Sequence, residues 1–233
     1  MKEIAPGVHQ IADKNVNTFA IVADDGIVLI DAGNPRRAET ILAALAKLGA
    51  GKKRPVTDVL ITHYHADHVG GLADLVATTG AKVWAPQGDV HIIKGGGRPP
   101  DMEYRGVLGF VVSRMLHMGE QAGSPVDHEV IGGQTVPVAG GIQAIDSPGH
   151  TGGHIVYLWQ EFGGVLFAGD AAANLIGVDA MPVNENNRRA EQSFVDLAGR
   201  SFEVAGFGHG RPLFSGASDR FRRRAQRLRA RPS

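Results

Sequence analysis

Hydrophobic and polar positions alternate along this chain in two rhythms, one of strands and one of helices. The runs Asn17–Val22 and Ile27–Ile30 read as strands, and Asp24-Asp25-Gly26 between them as the turn of a hairpin. The second run leads directly into Asp31-Ala32-Gly33. Asn34 then predicts a helix N-cap with Pro35 at the first helical position, and Ala38, Ile41, Leu42, Leu45 and Leu48 repeat at helical spacing up to a closing Gly49. Val59-Leu60-Ile61 is a short, wholly apolar strand of the kind covered on both faces. A helix carrying Leu72, Leu75 and Val76 follows and ends at Gly80, with Lys82–Ala85 as the next strand. Further strands are expected at Thr135–Val138, Gln143–Ile145, Ile155–Trp159, Val165–Ala168 and Phe202–Phe207, with a helix over Arg189–Leu197. Several of these strands end in a loop that carries His or Asp.

The stretch 87–129 departs from this alternation. Gly95-Gly96-Gly97-Arg98-Pro99-Pro100 breaks regular structure, and Tyr104, Val107, Leu108, Val111, Val112, Met115 and Met118 then lie at helical spacing. The first reading is a helix that covers the core. The second is a lid insertion, a wall against an apolar part of a substrate.

Composition narrows the chemistry. A chain of 233 residues, 43% hydrophobic and 21% charged, is long enough for a single α/β domain over 1–233 with a sizeable core. Cysteine is absent, which excludes disulfides, thiolate metal sites and cysteine nucleophiles, and leaves His nitrogen and carboxylate oxygen to hold any metal. No apolar run reaches the ~18 residues of a membrane span, and the N-terminus has no secretion signal core, so the expectation is a cytoplasmic protein with no membrane partner. Lys and Arg balance Asp and Glu at 24 each, but seven arginines lie between Arg220 and Arg231, which leaves residues 1–219 at −7. That acidic body argues against nucleic acid as a partner, and the Arg-rich C-terminal segment 218–231 reads first as a solvated helix face and second as a contact for phosphates.

The chemistry concentrates in Thr62-His63-Tyr64-His65-Ala66-Asp67-His68-Val69-Gly70-Gly71, where four ligand-type side chains fall within six residues directly after a buried strand. His63 and His65 can point the same way from extended backbone, because side chains alternate with period two. Asp67 and His68 sit where a helix begins. Four such ligands in one tight turn do not readily serve one tetrahedral ion, which suggests two adjacent ions.

This segment resembles the His-x-His-x-Asp-His motif of the metallo-β-lactamase fold superfamily, in its hydrolase branch. Four more motifs of the family recur in order: Asp31-Ala32-Gly33; Ser147-Pro148-Gly149-His150 with Thr151-Gly152-Gly153-His154 after it; Phe167-Ala168-Gly169-Asp170; and Gly206-Phe207-Gly208-His209-Gly210. The resemblance implies an α/β fold, an αββα four-layer sandwich. It places one divalent ion on His63, His65 and His150 and a second on Asp67, His68 and His209, with Asp170 bridging the two. It also makes Asp31 and His154 residues that orient ligands without binding metal. Nitrogen and oxygen ligation suits zinc first, with iron or manganese as alternatives. A hydroxide shared between two ions ~3.5–4 Å apart would be the nucleophile, with Asp67 and Asp170 as the catalytic carboxylates.

The branch follows from what stands near these motifs. The Gly-Cys-Gly-Arg run that glyoxalase II-like thioesterases and persulfide dioxygenases carry after the bridging Asp is here Asp170-Ala171-Ala172-Ala173-Asn174, and the Tyr of acyl-homoserine lactonases is here Ala173. The leading expectation is a binuclear metal hydrolase acting on an ester, thioester or lactone of a small-molecule acyl substrate. An iron-dependent persulfide dioxygenase-like enzyme is the alternative, with β-lactamase and nuclease activity behind it. A homodimer stays open at this point.

Overall fold

The computed structural model describes residues 1–95, 100–107, 110–111 and 123–230. In chain order, strands β1 (Lys2–Ala5), β2 (Val8–Asp13), β3 (Val16–Ala23) and β4 (Gly26–Ile30) lead to helix α1 (Ala38–Lys47). Strand β5 (Val56–Leu60), helices α2 (Ala66–Val69) and α3 (Leu72–Thr79), strand β6 (Lys82–Pro86), helix α4 (Val90–Gly95) and strands β7 (Glu103–Tyr104) and β8 (His128–Val130) follow. The second half holds β9 (Thr135–Val136), β10 (Ile142–Asp146), β11 (Ile155–Trp159), β12 (Val165–Phe167), β13 (Ala173–Asn174), β14 (Val178–Asp179) and β15 (Val183–Asn184). Helix α5 (Asn187–Leu197), strand β16 (Val204–Gly206) and helix α6 (Ala217–Arg229) close the chain.

Two sheets face each other. The first has seven strands in the order β1-β2-β3-β4-β5-β6-β8, and the second has five in the order β16-β12-β11-β10-β9. Strand alternation decides where each side chain goes. Along β4, Val28 and Ile30 enter the core between the sheets, where they meet Tyr157 and Phe167 from the second sheet. Ile27 and Leu29 point the other way and pack with Ile41 and Leu45 of α1 and with Leu72 and Leu75 of α3. The second sheet repeats the arrangement, with Val156, Leu158 and Leu166 packing outward against Phe194 of α5 and Phe221 of α6. Those two rings stack at 4.9 Å and 10°. Helix, sheet, sheet, helix is the αββα sandwich. Burying each of these large apolar side chains contributes roughly 1.5–3 kcal/mol, which sets the layer order.

The first helix starts later than the Asn34-Pro35 signal indicates. Asn34 to Arg37 form a turn, Arg37 donates its amide to Asn34 O at 3.2 Å, and the helix begins at Ala38. The cause is packing against the Gly70-Gly71 pair, since a Cβ on Gly70 would lie 2.3 Å from Pro35 N. That contact holds residues 32–35 as an irregular loop. Strands expected at Phe202–Phe207 and Thr135–Val138 are shorter, because their ends turn into loops at the sheet edges. The strands β1 and β2 were not expected from the pattern and extend the first sheet by antiparallel pairing.

Much of the expected helix in 87–129 lies outside the described residues. Of its apolar positions that are described, Val107 is 82% and Val111 48% exposed, so these two do not cover the core, because neither packs under a neighbouring layer. Tyr104 lies in a two-strand pair with β15. No helix among the described residues is long and apolar enough to cross a membrane.

The parallel run β4-β5-β6 and the parallel pair β12-β16 send their C-terminal ends to one edge of the sandwich. The segments that follow β4, β5, β10, β12 and β16 carry Asp31, His63 to His68 (the last two in α2), His150, Asp170 and His209. Backbone bonds lock that edge across the two sheets: Ile155 donates to Thr62 O at 3.0 Å, and Asn17 to Gly208 O at 2.9 Å.

Candidate metal centre

All seven ligand-type residues singled out in the sequence meet at this edge. His63 Nε2 lies 3.0 Å and His150 Nε2 2.9 Å from His65 Nδ1, so three imidazoles turn one ring nitrogen each to a common point. Asp67, His68 and His209 form a second group, and His63, His68 and Asp170 a third between them, each with ligand atoms within 4.8 Å of one another. Asp170 stands in the middle. Its Oδ2 is 3.4 Å from His150 Nε2 and 3.2 Å from His209 Nε2, and its Oδ1 is 3.5 Å from His68 Nε2. The six other than Asp67 are buried, while Asp67 keeps 19% of its side chain exposed and lies 3.3 Å from His209 Nε2.

Four of the imidazoles are fixed by the nitrogen they turn away from this point, while the Nε2 of His65 has no hydrogen-bond partner among the described residues. His150 Nδ1 donates to Val183 O at 2.8 Å and His209 Nδ1 to Asn15 O at 2.6 Å. His68 Nδ1 donates to Asp31 Oδ2 at 2.7 Å. Thr62 Oγ1 lies 3.0 Å from His63 Nδ1 and reaches both oxygens of Asp31 at 3.0 and 2.9 Å, with its amide donating to Asp31 Oδ1 at 2.8 Å. With one hydroxyl proton given to Asp31, Thr62 accepts from His63 Nδ1. These bonds turn Nε2 of His63, His68, His150 and His209 toward the common point, the arrangement by which a ligating histidine is oriented. His154 sits one step back, its Nε2 accepting the backbone N–H of Asp170 at 3.1 Å.

The electrostatics separate into two halves. Burial, reinforced by neighbouring imidazoles, pushes His63 and His65 well below the ordinary histidine range, and burial lowers His150 against the pull of Asp170. Those three are neutral donors. In the other half burial also opposes charge, but the carboxylates win. Asp31, Asp170 and Asp67 hold His68 well above its ordinary value, and Asp170 and Asp67 raise His209 to about 10. Burial raises Asp170 and Asp67 too, and the charges of His209 and His68 outweigh it, so both carboxyls lie below the usual range.

The donor set fits divalent metal. His68 Nε2, His209 Nε2, Asp67 Oδ2 and Asp170 Oδ1 are buried without a hydrogen-bond partner, and unmet polar atoms are rarely left in such numbers in one place. They converge on Asp170 together with the three neutral imidazoles. Three buried or half-buried carboxylates, Asp31, Asp67 and Asp170, supply negative charge that a dication would offset.

Four supporting residues were not assigned a role from the sequence. Thr62 joins Asp31 to His63, as described. Asn17 donates from Nδ2 to Phe207 O and Gly210 O at 2.9 Å each, which holds the His209 loop from both sides. Asp89, buried in the turn after β6, accepts from Tyr64 N at 3.2 Å, Thr151 Oγ1 at 2.7 Å and Gly153 N at 2.8 Å. It thereby ties the His63–His65 loop to the His150 loop, and burial raises its carboxyl to about 6. Glu185 accepts from the Tyr64 hydroxyl at 2.6 Å and donates its amide to His150 O at 3.1 Å. For Asn17, Asp89 and Glu185 the partners are distant in sequence, and the one available signal was an acidic or amide residue near a strand end. Of the other histidines, His128 stacks on Trp84 at 3.9 Å, and His117 lies outside the described residues.

Known proteins align with this picture. Residues 11–209 match the family model of the metallo-beta-lactamase superfamily. A hydroxyacylglutathione hydrolase of Rhodospirillum rubrum is 30% identical over 167 residues, 70% of this chain and 50% of that protein. The chain therefore spans half the length of that relative. The probable metallo-hydrolase YflN of Bacillus subtilis is 26% identical over 91% of this chain and 86% of its own length. Among solved structures, the MIM-2 metallo-beta-lactamase superposes with a TM-score of 0.74 over 97% of this chain and 85% of its own, at 20% identity, a likeness of fold. With the model match running from β2 to the His209 loop, the chain belongs to the metallo-beta-lactamase superfamily.

Proposed function

We propose that the protein is a binuclear metal hydrolase that cleaves an ester, thioester or lactone bond of a small molecule. The observation that carries this reading is the position of Asp170, within 3.5 Å of His68, His150 and His209, between a tris-imidazole face and an aspartate–histidine face. His63, His65 and His150 would hold one ion, and Asp67, His68 and His209 the other, with Asp170 shared. Zinc suits the neutral imidazole face first, with iron or manganese as alternatives. Two such ions, when bound, activate water near neutral pH and polarise a carbonyl.

The chain's own residues do the rest. Asp31, Thr62, Val183 and Asn15 fix the imidazole tautomers, so the donor atoms are aimed before any substrate arrives. Asp67 is the ligand-type side chain that reaches solvent, and its carboxylate is placed to orient a water by accepting a hydrogen bond from it. The buried His154 steadies the Asp170 backbone. The hydroxyacylglutathione hydrolases among the relatives support an acyl thioester among the substrate classes.

The test is a panel of lactones, thioesters, β-lactams and phosphodiesters on enzyme of defined metal content. Turnover of acyl substrates with about two ions per chain is expected. Cleavage of phosphodiesters alone, or oxygen uptake with one iron, refutes the reading.

A further inference from the structure

Beside the metal centre lies a second cavity of about 520 Å³, walled on one side by the β13–β14 hairpin and on the other by helix α6. Five arginines line it: Arg105, Arg220, Arg223, Arg224 and Arg227. Two of them are matched. Arg224 pairs with Asp179 at 2.6 Å, while Arg105 pairs with Glu191 and lies 3.4 Å from Asp179. Arg220, Arg223 and Arg227 have no ion-pair partner among the described residues, which leaves three cations around one cavity.

The placement follows from helix geometry. Residues 220, 223, 224 and 227 stand at i, i+3, i+4 and i+7 and so share one face, while Phe221, Ala225 and Leu228 bury the other. Like charges three and four apart repel, so this face weakens its own helix unless an anion neutralises it. Arg220, Arg223 and Arg227 are exposed and line the cavity opposite the hairpin, which Arg224 reaches through Asp179. The opposite wall is apolar, with Leu175 43% and Ile176 88% exposed. The hairpin side is continuous with the centre. Ala173 follows Asp170 by three residues, Asn174 N donates to His209 O at 3.2 Å, and Pro182 precedes Val183, the residue that anchors His150.

From these features we infer that the cavity takes the phosphate groups of a small organic phosphate, as the non-reacting handle of the acyl substrate. This rests on the hydrolase reading above. Three unmatched guanidiniums fit a group of two or three negative charges, where a single carboxylate needs one bidentate arginine. The apolar wall fits the organic part. The −7 of residues 1–219 disfavours an extended polyanion such as RNA, which would run over the acidic body.

The test has a binding arm and a kinetic arm on the metal-loaded enzyme. In the first, adenosine 3′,5′-bisphosphate is titrated calorimetrically into wild type and the Arg223→Ala/Arg227→Ala variant, whose helix and melting temperature are checked in parallel. Binding to wild type, with Kd raised at least about tenfold in the variant, is expected. No binding, or the same Kd in both, overturns the proposal. In the second arm, S-acetyl-4′-phosphopantetheine and S-acetylpantetheine differ only in the phosphate. A higher kcat/KM for the phosphorylated thioester in wild type, reduced in the variant, supports the handle. Equal turnover of both overturns it and leaves the hydrolase reading standing. Turnover of neither, with bisphosphate binding intact, withdraws thioesters from the proposed function and the handle with them. A single-stranded oligonucleotide that binds more tightly than the bisphosphate, with a steep salt dependence, overturns it in favour of nucleic acid.

Discussion

Replacing Asp31 by Asn tests how the centre is aimed. Asp31 has φ 63°, in the left-handed region that Asn enters as readily as Asp, so the backbone is not strained by the change. What changes is the number of accepting atoms. In the native protein one carboxylate accepts from Thr62 N at 2.8 Å, from Thr62 Oγ1 and from His68 Nδ1 at 2.7 Å. An amide has one accepting atom. If its oxygen stays on Thr62 N, its NH2 faces His68 Nδ1, which must then give up its proton and move it to Nε2, the atom needed for metal. If the amide turns over, its NH2 opposes the Thr62 N–H instead. Either way a charge-assisted hydrogen bond worth roughly 1.5–3 kcal/mol is lost. Loss of a partner that orients a ligand typically costs ~10–100-fold in metal affinity, or about 1.4–2.7 kcal/mol, the same range by an independent route. The assay is competition with a chromophoric chelator, with unfolding followed separately. Asp31→Asn is expected to stay folded and to bind metal about 10–100-fold more weakly. Two ions held with native affinity would refute the reasoning.

Three further outcomes follow from the same geometry. In Gly208→Ala the new Cβ would stand 2.2 Å from Asp170 Oδ1 and 2.6 Å from His68 Cε1, so the variant should fold yet lose metal and activity by orders of magnitude; metal analysis showing native content would contradict this. Neighbouring carboxylates raise His68 and His209, so metal binding should release protons and affinity should rise with pH; calorimetry in buffers of different ionisation enthalpy reads the release, and zero release defeats the idea. Asp89, raised from 3.8 to about 6, binds a proton more tightly folded than unfolded, so its contribution is full below about pH 4 and is lost as pH rises through about 6. Relative to Asp89→Asn, wild type should therefore lose up to about 3 kcal/mol between those limits in urea unfolding, and parallel pH curves for the two proteins would count against it.

What could be read in the sequence, and what could not, divides by how each residue meets its partner. His63, His65, Asp67 and His68 were legible because one strand end and the short helix after it place them together, and the helix starts where His65 leaves extended backbone, at φ −61° and ψ 144°. The layer order was legible from alternation, since Val28 and Ile30 against Ile27 and Leu29 states the two faces of β4 outright. The start of α1 misled because its local signal was sound, and a contact from Gly70, 35 residues on, overrode it. Asp89 and Asn17 were silent for a related reason. Asp89 reaches Thr151 and Gly153 across more than sixty positions, and Asn17 reaches Phe207 and Gly210 across about 190. Neither has a local rule to obey, since their hydrogen bonds exist only after both sheets have paired. The ligands themselves need such cross-links, because His63 and His150, 87 positions apart, must hold their nitrogens within about 3 Å of His65 against the repulsion of their lone pairs. Local sequence can therefore nominate donor atoms, but only long-range clamps of this kind keep them in ligating array, and the variants that separate the two are those that leave every imidazole in place.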